Sequence, residues 1–171
     1  NLESRGGGGR AMMFETSERA GGLIATYGDV VASPAANSLS AFVYRVMPNG
    51  TDFSNALDAD IPGLNFAFIG DEYAYHSASA TPANLDTGSV QHLGDQVLAI
   101  THTLGDADDL NANAPDVIYA DLFGLAFVAY PQSAGWAVIG VLAVLLGFTF
   151  VKGRARGLVH PAALATGIAY F

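Results

Sequence analysis

The sequence predicts an α/β domain followed by a membrane-spanning helix. Three observations carry that prediction. Residues 64–69 are apolar almost throughout, as expected of a strand in a sheet covered on both faces. Two segments, residues 39–47 and 90–104, repeat apolar residues at steps of three and four, the period of a helix with one buried side. Residues 134–151 are almost purely apolar, a run long enough to cross a bilayer at about 1.5 Å rise per residue.

The chain has 171 residues, of which 51% are hydrophobic and 13% charged. That length supports one domain with its own core, and the composition is apolar for a soluble domain. The charges are unevenly spread. All sixteen acidic residues lie at or before Asp121, opposed there only by Arg5, Arg10, Arg19 and Arg45. So acidic a region repels phosphate and argues against nucleic acid as a partner. There is no cysteine, which excludes disulfides and thiolate metal sites and leaves His, Asp and Glu as ligands for any zinc. The chain begins with Asn1 rather than Met and stops at Phe171 inside an apolar segment, so it is expected to be a piece of a longer protein.

Residues 1–3 form the tail of a strand. The run RGGGGR at 5–10 gives a flexible turn; no P-loop Lys-Ser/Thr follows it, so it carries no phosphate-binding signature. Residues 11–16 form a second strand, with Glu3 at the edge of the turn. Ser17 caps a helix running to about Val31, although Gly21 and Gly22 are poor helix formers. Pro34 breaks the chain. Asn37 or Ser38 caps the next helix, in which Leu39, Phe42, Val43, Val46 and Met47 form one apolar face, and Pro48-Asn49-Gly50 ends it. Asp52 lies in the following loop, either as a carboxylate accepting backbone N–H bonds or as part of a cleft.

The strand at 64–69 resolves through a polar turn into Tyr75-His76. His76, at the exit of a core strand, is placed for metal ligation, proton transfer or a purely structural role. The last soluble helix, 87–104, carries the stripe Val90, Leu93, Val97, Ile100 and Leu104, is capped by Asp86 or Thr87, and ends at Gly105. His92 lies off that stripe and is expected to face solvent. Residues 106–121 are expected to be a linker and 122–133 to lie along the membrane surface. Trp136 at one end of the 134–151 span and Lys152, Arg154 and Arg156 at the other match interfacial anchoring. The positive-inside rule places that basic cluster in the cytoplasm and residues 1–121 on the other side. Residues 157–171 look like the start of a second, truncated span.

Six motifs occur in order: NLESRG at the start, FETS at 14–17, NGTDF at 49–53, IPGLNFAFIG at 61–70, YHS at 75–77 and GSVQHLGD at 88–95. Together they resemble the C-terminal half of the catalytic domain of the two-zinc exopeptidases related to aminopeptidase Y. The likeness is to the membrane-anchored branch that includes the endoplasmic reticulum metallopeptidase and the vacuolar membrane protease, and it covers residues 1–105 best. It implies a partial three-layer α/β/α sandwich with a mixed sheet and, in the full-length parent, two zinc ions bridged by an Asp. By the same resemblance Glu3 ligates one zinc, His76 ligates the other, and Tyr75 stabilises the oxyanion of the tetrahedral intermediate. Asp52 is assigned to the surroundings of the metals or to the substrate cleft.

The implied reaction is peptide hydrolysis by zinc-activated water with a Glu as general base, most simply as an aminopeptidase. The implied partners are a peptide substrate, membrane lipid and the N-terminal half of the catalytic domain. The family's His-x-Asp segment, bridging Asp and Glu-Glu pair precede its N-L-E segment, so they fall before Asn1, and the isolated chain is expected to be inactive. Ala80 stands where many members carry an Asp, a difference bearing on the loop's hydrogen bonds. The alternative is a non-catalytic scaffold of the same fold tethered to a membrane.

Overall fold

A computed structural model describes residues 1–107 and 113–158 of the chain. They fall into two units, Asn1–Pro131 and Gln132–Phe171. In the first unit, β1 (Leu2–Ser4), β2 (Gly8–Thr16) and β3 (Leu64–Gly70) form a mixed sheet of order β1-β3-β2, with β1 parallel and β2 antiparallel to β3. The central strand is buried from Leu64 to Phe68, which explains why its sequence is apolar without alternation. Successive side chains serve opposite layers. Met13 and Phe66 enter a core with Leu23, Ile24 and Tyr27 of α1 (Gly21–Val30) and Ile100 of α4 (Thr87–Gly105). Phe14 and Ala67 face the other way, against Tyr44 of α2 (Ser38–Val46). This is the α/β/α layering that the sequence predicts.

The glycine run does more than turn. Gly9 adopts a φ of 100°, and a Cβ on Gly6 would lie 2.1 Å from the Gly70 carbonyl oxygen. Both positions therefore exclude any larger residue. The bulge between Gly8 and Ala11 leaves Ala11 without full strand pairing. Side chains of α4 supply its partners: Ala11 N–H donates to His92 Nδ1 at 3.1 Å, and Gln96 Nε2 donates to the Ala11 carbonyl at 2.9 Å. His92 Nε2 then meets the Ser33 carbonyl at 2.8 Å. The expectation that His92 faces solvent is thus corrected. It lies off the apolar stripe because it serves a backbone bulge instead of the core.

Other boundaries also differ from expectation. Ser17 caps no helix; it clamps Gly63, its N–H donating to the Gly63 carbonyl and its Oγ accepting from Gly63 N–H. The first helix starts at Gly21, where the Pro115 carbonyl passes so close that a Cβ would lie 2.0 Å from it. The two glycines sit in that first turn, not in the helix interior. Asn37 is the cap of α2, accepting from Ser40 N–H at 2.8 Å. The apolar side of α2 is not a core face: Leu39 is 70%, Phe42 63% and Val46 66% exposed, and Ala41 and Tyr44 are the buried residues. Residues after Asp52 form a short helix, α3 (Phe53–Asp58), where a loop was expected.

The largest correction concerns residues 106–133. The expected linker and membrane-surface segment contain an antiparallel hairpin, β4 (Val117–Leu122) and β5 (Ala126–Pro131). Phe127 packs edge-on against Tyr27 at 5.2 Å and stacks with Tyr119 at 5.9 Å. The carboxylates that make this stretch look like a linker are backbone acceptors: Asp116 takes Ala20 N–H and Asp121 takes Ala36 N–H, each at 3.1 Å. Asp121 also pairs with Arg10 at 3.7 Å.

In the second unit, α5 (Gln132–Ala155) is 24 residues long with mean hydropathy 2.3 over its most apolar stretch, and it is almost wholly exposed. At about 1.5 Å per residue it spans roughly 36 Å, enough to cross a membrane. The proposed second span lies outside the described residues except for Gly157 and Leu158.

Tyr27 ties the helical layer to the sheet. Its hydroxyl donates to Gln96 Oε1 and accepts from Ala35 N–H, both at 2.7 Å. Tyr27→Phe leaves both partners unsatisfied in the core and is expected to cost about 1–3 kcal/mol, read by chemical denaturation. Burial pushes the Tyr27 phenol far above its ordinary 10.0 and that of Tyr119 up to about 12. A raised phenol contributes its full stability below the unfolded value and loses it as pH rises through the folded one. Stability is therefore expected to fall between about pH 10 and 12, and Tyr119→Phe is expected to reduce that fall in melts across this range.

Candidate active site

The site lies at the end of the sheet where β1 and β3 run side by side. Asn65, the one polar residue in the central strand, is fully buried there. Its amide nitrogen donates to Glu15 Oε2 at 2.8 Å and to Thr51 Oγ1 at 2.9 Å. Its amide oxygen accepts from Asn1 Nδ2 at 3.0 Å, and the same nitrogen of Asn1 lies 2.9 Å from Glu3 Oε1. Glu3 is thus linked through Asn1 to the interior of the sheet. Thr51 Oγ1 also accepts from Phe53 N–H at 3.2 Å, which holds the start of α3 against the same centre.

Around this network opens a cleft of about 270 Å³, lined by Glu3, Arg5, Asn49, Gly50, Thr51, Asp52 and Tyr75. Three of the four residues singled out from the sequence, Glu3, Asp52 and Tyr75, therefore share one cavity wall. Asp52 stands at the N-cap position just before α3, but its side chain makes no cap hydrogen bond. The exposed His76 adopts a φ of 53° and lies flat on Tyr75, with ring centroids 3.9 Å apart and planes 20° apart. It stands beside the cleft, held by the Tyr75 ring. A left-handed backbone at a non-glycine residue is uncommon and concentrates at functional positions. A larger cleft of about 480 Å³ opens near Ser17, Arg45 and Asp60 and contains none of the four.

Among the described residues, no three His, Asp or Glu side chains converge as a metal cage. Glu3 and His76 do not make a closed zinc site on their own, since such a site takes three or four protein ligands. Arg5, Glu15, Thr51 and Asn65 join the site only in the folded chain. Asn65 carried a signal: an amide in the middle of an apolar, doubly covered strand must find partners, because burying it unpaired is costly. Tyr44, whose hydroxyl finds no partner among the described residues, borders the same region, and its phenol is raised by burial and by the charge of Glu15 against the opposing effect of Arg5.

Residues 1–101 match the model of peptidase family M28. The chain is 32% identical over 161 residues to endoplasmic reticulum metallopeptidase 1 of Homo sapiens, covering 90% of this chain and 18% of that protein. It is 30% identical over 167 residues to the Mus musculus protein of the same name, covering 91% and 19%. It is 24% identical over 153 residues to the vacuolar membrane protease of Yarrowia lipolytica, covering 88% and 15%. The chain spans less than a fifth of the length of these relatives. No solved structure matches it. The motifs, the mixed sheet and the family match agree, and the chain belongs to peptidase family M28.

Proposed function

We propose that this chain is the C-terminal part of the catalytic domain of a membrane-bound zinc metallopeptidase of the aminopeptidase type, together with a membrane span that follows it. The observation that carries this reading is the meeting of Glu3, Asp52 and Tyr75 on one cleft, with His76 stacked on Tyr75, inside the region that matches the peptidase family. Glu3 offers a carboxylate ligand oriented by Asn1, and His76 offers an imidazole to a second metal. Tyr75 presents a phenolic O–H that can donate to an oxygen gaining negative charge. Asp52 contributes an uncommitted carboxylate to the substrate side. The remaining ligands and the general base come from a part of the protein outside these 171 residues. The peptidase unit lies on the non-cytoplasmic side, with Lys152, Arg154 and Arg156 in the cytoplasm.

Zinc titration of the 171-residue chain, followed by calorimetry, is expected to show no stoichiometric micromolar site; binding of two ions at that affinity contradicts the shared ligand set. In the full-length protein, Glu3→Ala and His76→Ala are each expected to lower zinc content and kcat/KM together, the latter by about 100-fold or more. Tyr75→Phe is expected to keep its zinc and lose about 100–1000-fold in kcat. Full activity in all three variants overturns these assignments, and a wild-type full-length protein that neither binds zinc nor hydrolyses peptides favours the non-catalytic scaffold.

A further inference from the structure

We propose that Arg5 forms a carboxylate-binding subsite in the cleft and gives the enzyme a preference for peptides that carry an anionic group near the scissile bond. The inference rests on the peptidase reading above. Arg5 follows Glu3 by two positions, so in extended chain the two side chains project to the same side, and both line the cleft. The guanidinium carbon lies 5.1 Å from the Tyr75 ring centroid and 5.8 Å from that of Tyr44, within cation–π range of both. These contacts hold the group through its π faces and use none of its five N–H donors.

Nothing else among the described residues uses them. Among the described residues the ion pair is Arg10–Asp121, and Arg5 takes part in the hydrogen bonding only through its backbone, its N–H donating to the Phe68 carbonyl at 3.2 Å. The two carboxylates of the same cleft, on Glu3 and Asp52, stay beyond ion-pair distance of it. The backbone beneath is closely packed, since a Cβ on Gly6 would lie 2.1 Å from the Gly70 carbonyl oxygen. A half-buried, oriented guanidinium with unspent donors matches a planar carboxylate, which it can bind through two parallel hydrogen bonds. In a peptide that group has two sources, an acidic side chain or the C-terminus, and both offer the same chemistry to Arg5.

The test uses the full-length protein and matched peptides: an Asp or Glu residue against its Asn or Gln isostere, and a free C-terminus against its amide. The wild type is expected to favour the carboxylate in one of the two series by about tenfold in kcat/KM. The series that shows it identifies the source. Arg5→Gln is expected to collapse that ratio toward one, chiefly through KM. Arg5→Lys is expected to keep part of it, and Arg10→Gln, outside the cleft, to keep all of it. Equal rates on every matched pair in the wild type, or a ratio that survives Arg5→Gln, overturns the proposal. If no peptide is hydrolysed, the peptidase reading fails separately. Calorimetric binding of the same peptides then decides: weaker binding of the carboxylate peptides to Arg5→Gln supports the subsite, and unchanged binding overturns it.

Discussion

The buried amide of Asn65 is the constraint around which the sheet end is arranged. An amide at the centre of a strand covered on both faces loses water from every polar atom, and each unmet donor or acceptor costs roughly 1–3 kcal/mol. Here Glu15 and Thr51 take its two donors and Asn1 supplies its acceptor's partner. These partners come from β2, from the loop ahead of α3 and from the start of β1. Satisfying one amide therefore draws three distant segments together, and those segments carry Glu3, Arg5 and Asp52. Polar satisfaction and site assembly are the same event in this fold.

The opposite face of the sheet solves a similar problem with different residues. Tyr27 and Gln96 share a hydrogen bond in the core, and through Ala35 and Ala11 they join α1 and α4 to the backbone beside β2. The β4–β5 hairpin closes over α1 through Phe127 and Tyr119. Gly6 and Gly9 complete this arrangement by letting the turn after β1 and the start of β2 approach the Gly70 backbone at distances no side chain would tolerate.

The cleft collects polar groups with different commitments. Glu3 is already held by Asn1, whereas Asp52 makes no helix-cap bond and the Arg5 guanidinium meets its surroundings through the rings of Tyr44 and Tyr75. His76 is set by its stacking on Tyr75 and by a left-handed backbone. Among the described residues no three His, Asp or Glu side chains converge there, and the chain spans under a fifth of its relatives.

Much of the fold was legible in the sequence because it rests on local period and composition. The apolar run at 64–69, the stripe along 90–104, the Asp86 cap and the long span need only neighbours a few positions away. The mixed sheet was legible through the order of six motifs. The hairpin was not: Asp116 and Asp121 make it look like a solvated linker, yet both accept backbone N–H bonds from segments some 85 to 96 positions distant. The α2 stripe misled for the converse reason, since helical period marks an apolar face without saying what covers it. By itself the sequence determined the α/β class, the membrane-length helix and which residue types were available for metal chemistry. Only the tertiary structure decided that residues 3, 5, 52 and 75 share one cavity and that His92 serves a bulge, because those outcomes depend on hydrogen bonds and ring contacts between positions the chain keeps far apart.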